Sequence, residues 1–164
     1  ALEIAGKTSI LLEDRVSAAR YYRRLAEVDS TSVEVIMVVE DLYRALADRS
    51  NLIWALKRHH ELEPDNVAVL GELCEYIDPD KLTEEGITYV KRGMVLDPDD
   101  GRFHILMGVN YKTLGQIDRA LDEFRKALKD ERWSANAQRL IWQIERPESD
   151  EEKAERTFFK RGKE

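Results

Sequence analysis

Two near-identical hexamers, "ELEPDN" at residues 61–66 and "VLDPDD" at 95–100, place Pro64 and Pro98 34 residues apart. The same step from these prolines lands on Ser30 and on Arg132. The positions just before form an acidic column of Asp29, Glu63, Asp97 and Glu131. Ala5, Val39, Leu73, Met107 and Ile141 make an apolar column. Ala18, Leu52, Gly86, Ala120 and Ala154 make a mostly small one, and Tyr22, Leu56, Val90, Phe124 and Phe158 a large apolar one. A fixed period held in several columns without insertion describes a chain assembled by stacking one supersecondary unit.

Within a unit the apolar spacing is helical. In residues 101–134, Ile105, Leu106, Val109 and Leu114 precede a "GQ" turn, and Ile117, Leu121, Phe124 and Leu128 follow it. Steps of three, four and seven put one stripe on each of two short helices. Gly115 suits the turn because it takes positive φ without steric cost. Gly108 and Ala120 leave room for the two helices to approach. The hexamers are punctuation in this scheme. Leu62 and Leu96 close an apolar stripe, Pro64 and Pro98 stop the helix, and Asp65/Asn66 and Asp99/Asp100 offer caps for the next one. "EVDSTS" (27–32) and "DERWSA" (130–135) are the worn copies.

The stretch "FHILMGVNYKTLGQIDRALDEFRKAL" resembles a tetratricopeptide repeat (TPR), matched by Met107, Gly108, Tyr111, Gly115, Ala120, Phe124 and Ala127. His104 stands for the family's Trp and Arg132 for its closing Pro. Elsewhere Glu40 and Cys74 replace the small Gly, and His59 replaces the later Ala. The resemblance implies an all-α fold, a right-handed α-α superhelix of antiparallel helix pairs. Four 34-residue repeats (1–32, truncated at its start, then 33–66, 67–100 and 101–134) precede a degenerate capping repeat at 135–164. The whole chain is then one domain.

Composition narrows the function classes. The chain has 43% hydrophobic and 36% charged residues, as a folded protein does, and a net charge of −7 that argues against a general nucleic-acid binder or a polybasic membrane surface. The longest apolar runs, such as "VIMVV" (35–39), are too short to span a bilayer. The lone Cys74 permits no internal disulfide, and the compartment stays open. No signal peptide is visible. The chain opens on Ala1, inside a unit, which suggests a fragment or processed form.

Each chemically suggestive feature has a plainer reading. "IAGKTS" (4–9) contains the Gly-Lys-Thr of a phosphate loop, but Ala1 stands where that motif needs Gly, and Gly6 shares a packing column with Gly108. His59 and His60 are neighbours that point about 100° apart on a helix, so they do not easily share a metal. Cys74, in a packing column, is expected to be a buried, unreactive thiol. Trp54 and Trp133 are expected to be partly exposed, and either could mark a self-association patch. The tail "ESDEEKAERTFFKRGKE" reads as a terminal helix that uses Phe158 to cover the last repeat. No enzyme, metal or cofactor is implied.

The resemblance also implies a concave groove lined by the first helix of every unit. Carried over by column, its lining is Glu34, Met37, Val38, Asp41 and Arg44, then Ala68, Gly71, Glu72, Glu75 and Asp78, then Arg102, Ile105, Leu106, Val109 and Lys112, with Glu3, Ile4, Lys7 and Ile10 at the start. The expected ligand is a protein or peptide segment with Lys or Arg opposite Glu72 and Glu75 and an apolar anchor near Ile105 and Val109. Few columns carry the basic-and-Asn clamp of family members that hold a chaperone tail, so that role is not expected. The expectation is therefore a non-enzymatic protein-interaction scaffold without nucleic acid or membrane insertion. A regulatory or targeting region of a larger enzyme or assembly, and a self-assembling element, stand as alternatives.

Overall fold

The computed structural model describes residues 1–77 and 82–146. The described residues form α1 (Leu2–Leu11), α2 (Arg15–Val28), α3 (Val33–Ala45), α4 (Arg49–Leu62), α5 (Val67–Ile77), α6 (Glu84–Leu96), α7 (Gly101–Thr113), α8 (Ile117–Ala127) and α9 (Glu131–Glu145), with no strand among them. Each helix packs on its neighbours in the chain. Across an intervening helix the backbones of α5 and α7, and of α7 and α9, also approach closely, and side chains join α2 to α4 (Arg23–Asn51) and α3 to α5 (Arg44–Glu72). The core is accordingly a relay. One cluster runs from Ala18 to Leu73, a second joins Leu70, Cys74 and Val90 to Phe103 and Met107, and a third joins Ile105 and Phe124 to Leu140 and Ile141. That is the geometry of a solenoid, in which every unit covers the face its predecessor leaves bare.

Local chemistry sets the helix ends. α3, α5 and α7 open at residues 33, 67 and 101. Their caps are Ser32, which accepts from the Val35 N–H at 3.3 Å, Asn66 from Val69 at 3.2 Å, and Asp100 from Arg102 at 2.9 Å. α9 departs from this spacing. It begins at Glu131, so the expected unit junction at 134/135 lies inside a helix. Arg132, in the proline column, supplies an N–H that proline lacks, and Asp130 accepts it at 3.0 Å, capping the helix four residues ahead of the repeat spacing. The tail from 147, including Ala154 and Phe158, lies outside the described residues.

The turns between paired helices reuse one backbone shape. Glu13, Ala47 and Gly115 have φ of 59°, 52° and 73° and occupy one column of the 34-residue repeat. Only Gly115 advertises that conformation in the sequence. The other two hold it as L-residues at a steric cost.

The degenerate packing columns are mutually adjusted. Gly6 and Gly108 lie against the rings of Tyr22 and Phe124, each sixteen residues on. In the other two units the same columns hold Glu40 with Leu56 and Cys74 with Val90. Where the glycine is lost, the opposing residue is aliphatic. Cys74 with Val90 fills about the space of glycine with a ring, as close packing requires, whereas Glu40 turns to His59. Gly6 is thus a packing residue within α1, and its neighbours Lys7 and Thr8 belong to that helix, not to a phosphate loop.

Candidate interaction groove

The side chains assigned to the groove sit on α1, α3, α5 and α7, apart from Asp78, and the structure ties several of them to one another. Arg44 forks onto Glu72 of the next unit, its Nε 3.0 Å and its Nη2 2.9 Å from Oε1, and its Nη1 lies 2.7 Å from Asp41. Arg102 lies over the bare backbone of Gly71, where an added Cβ would be 2.7 Å from its Cζ. From there its Nε is 3.4 Å from Glu75, and its guanidinium is 5.8 Å from the Trp133 ring. Glu72 and Glu75 therefore each have an intramolecular arginine, supplied from the unit before and the unit after. Burial pushes the Glu75 carboxyl above its ordinary range, and the Arg102 charge draws it part of the way back.

The other assigned residues divide by exposure. Glu34 and Lys112 are exposed, and Met37 is 51% exposed. Val38 and Val109 are half-buried against the first and third clusters. Ile105 does not present an open side chain to the groove: it is 6% exposed and packs against Ala137, Leu140 and Ile141 of α9. Asp78 lies outside the described residues.

Apolar exposure is concentrated at the other end. Ile4 and Ile10 on α1 are 71% and 43% exposed. Between α1 and α3 lies a cleft of about 490 Å³ lined by Ile10, Val38, Leu42 and Ala45, with Glu13, Arg15 and Asp41 at its rim. Glu13 comes from the turn and Arg15 from the first residue of α2, and the sequence did not place them at the cleft because nothing there marks Glu13 as a left-handed residue. Trp54 and Trp133 are half-buried, each under an arginine (Arg23 at 4.4 Å from the Trp54 ring), and it is Trp142 that stands 59% exposed.

The remaining reactive groups are built into the packing. Cys74 is fully buried, and burial pushes its thiol up to about 12, far from a nucleophilic thiolate at neutral pH. His59 is buried between two carboxylates, Nδ1 2.8 Å from Glu40 and Nε2 3.3 Å from Glu63. Burial raises the Glu40 carboxyl while the imidazole pulls it down. Glu40 and His59 stand in the columns that hold Gly108 and Ala127 in the fourth unit, so a buried polar pair replaces a close helix contact. His104 is held similarly by Glu123 at 2.7 Å and the Pro98 carbonyl at 2.9 Å. Among the described residues no group of three or more His, Cys, Asp or Glu side chains could hold a metal ion, and no helix is long and apolar enough to cross a membrane.

Solved structures share this architecture. A crystal structure of MamA superposes with a TM-score of 0.65 at 19% identity, covering 85% of this chain and 81% of that one. MamA from Desulfovibrio magneticus RS-1, from residue 41 to the end, gives 0.66 at 14% identity over 97% and 90%. A thermophilic TPR protein from Thermus thermophilus gives 0.53 at 14% identity over 88% and 81%. The fold is a TPR-type solenoid. No family model and no curated protein matches the sequence. At these identities the likeness concerns the fold alone, so the role of the TPR groove rests on this chain's own residues.

Proposed function

We propose that the chain is a non-enzymatic protein-interaction scaffold that holds a peptide or protein segment along its first helices. The observation that carries this reading is the α1–α3 cleft, where Ile10, Val38, Leu42 and Ala45 offer an apolar seat, with Ile4 exposed on the same helix as Ile10 and Met37 exposed next to Val38 in the chain. Exposed apolar side chains gathered at one concavity with charged rims are the usual signature of a protein-binding surface. The anchor thus sits at the start of the groove, where Ile10 and Met37 are open, and not near the buried Ile105.

Carboxylates set the polarity of the ligand. Asp41, Glu72 and Glu75 face Arg44 and Arg102 along α3, α5 and the start of α7, while Glu34, exposed at the start of α3, accepts from the Ser32 hydroxyl, and Glu13 adds a further acid at the cleft. A segment alternating apolar with basic residues complements that surface. Because Glu72 and Glu75 already have arginine partners, Glu13 and Glu34 are the better counter-charges for an incoming Lys or Arg.

Titration of a fluorescein-labelled peptide alternating Leu with Lys tests the reading. The chain should bind it well above a Leu/Gln peptide. Ile10→Ser/Met37→Ser should weaken binding by roughly tenfold or more, since each substitution removes the burial of one apolar side chain, about 1.5–3 kcal/mol when complete, without adding charge. Equal binding of both peptides, or no change in the double variant, would remove the proposal.

A further inference from the structure

A larger cleft, about 630 Å³, lies away from the α1–α3 seat, between α2, the end of α3 and the start of α4. Its floor is apolar, from Val16, Ala19 and Leu46, and Val16 is 57% exposed. Its wall is cationic, from Arg20, Arg23 and Arg24. α2 carries four arginines (Arg15, Arg20, Arg23 and Arg24) against the single acid Glu27, inside a chain whose net charge is −7.

The three wall arginines are not equivalent. Arg23 is committed to the fold: its Nε is 3.2 Å from Glu27, its Nη1 donates to the Asn51 side chain, and its guanidinium covers Trp54. That commitment also occupies the acids of the cleft. Glu27 faces Arg23, and Asp48 accepts from the Asn51 N–H at 3.1 Å and from its Nδ2 at 2.7 Å. Arg20 and Arg24, one turn apart on α2, are exposed and form no ion pair with a described carboxylate. Arg20 acts on Asp14 only at a distance. The fold thus presents two uncompensated guanidiniums above an apolar trough.

We infer that this cleft is a second docking site, for an acidic peptide segment whose carboxylates meet Arg20 and Arg24 while an apolar side chain between them enters the trough. Guanidinium and carboxylate match in fork geometry, and two arginines one turn apart accept two acids on one face of a ligand. Nucleic acid and membrane surfaces fit less well. Both draw on many cations at once, whereas here two uncompensated arginines sit beside Glu27 and Asp48. The first four helices then carry two clefts of opposite preference, basic-apolar segments at the α1–α3 seat and acidic-apolar segments at α2–α4.

Fluorescence anisotropy with a labelled peptide alternating Glu with Leu tests this directly, beside a Gln/Leu peptide, phosphatidylserine vesicles and a single-stranded oligonucleotide. The wild-type chain should bind the Glu/Leu peptide at least about tenfold tighter than the Gln/Leu peptide. Arg20→Glu/Arg24→Glu should abolish that preference, Arg20→Gln/Arg24→Gln should reduce it, and the charge-matched Lys91→Glu/Lys129→Glu should keep it. Circular dichroism confirms that each variant is folded, which the exposure of both arginines makes the expected outcome. The inference is overturned by equal binding of the two peptides, by an unchanged preference in the arginine variants, by an equal loss in the charge-matched control, or by vesicle or oligonucleotide binding without peptide binding.

Discussion

Gly108→Ala gives the sharpest test of how the repeat units are packed. A methyl group at residue 108 would lie 2.7 Å from Cδ1 and 3.0 Å from Cζ of Phe124, with Cε1 closer still. Phe124 is fully buried among Ala120, Ala127, Ala137 and Ile141 and has no free direction in which to retreat. Overpacking of this severity belongs at the upper end of the usual range, about 3 kcal/mol. Replacing a mid-helix glycine by alanine returns about 1 kcal/mol of helix propensity, leaving a net loss of about 2 kcal/mol. Phe124→Leu alone should cost about 1–2 kcal/mol, by interpolation between the smaller and larger core truncations. The double variant Gly108→Ala/Phe124→Leu recreates the combination of a larger residue with an aliphatic partner seen at Cys74 and Val90, so its methyl group fills the space the ring vacates. It should lie no lower than Phe124→Leu by itself, a coupling of about 2 kcal/mol. Urea unfolding followed by far-ultraviolet circular dichroism, with midpoints compared at a common slope, measures all four corners of the cycle. Additivity within about 0.5 kcal/mol would show that the two columns do not compensate.

Two further outcomes follow from the same structure. Gly115→Ala meets no atom within 4 Å, so its cost should be conformational alone, about 1 kcal/mol, while Ala47→Gly at the equivalent turn should be neutral or stabilising by up to about 1 kcal/mol; thermal unfolding of both would decide, and a neutral Gly115→Ala would contradict the turn assignment. Arg132, together with the N–H groups of Gly101 and Arg132, holds the Asp130 carboxyl down to about 2, against about 4 for the unfolded chain. Its stabilising contribution is therefore complete above about pH 4 and is lost as pH falls towards 2, and Asp130→Asn should flatten that part of the acid-unfolding curve.

The 34-residue columns were enough to establish a stacked α-α solenoid, because helix periodicity, proline stops and Asp or Asn caps are local and leave their marks in the residues that form them. They placed Gly115 at its turn, Gly6 and Cys74 in the packing, and α3, α5 and α7 at their starting residues. Tertiary structure decided what no single column records. Glu72 and Glu75 read as open acids in the sequence, yet Arg44 and Arg102 reach them from adjacent units, because stacking brings residues 28 and 27 positions apart side by side. Ile105 shares its column with the open Met37 but lies buried, because α9 packs over it with Ala137, Leu140 and Ile141. Glu13 and Ala47 adopt a left-handed turn that only glycine would have announced. The apolar seat at α1–α3 and the arginine cleft at α2–α4 exist only between helices, where side chains distant in the chain share one concavity.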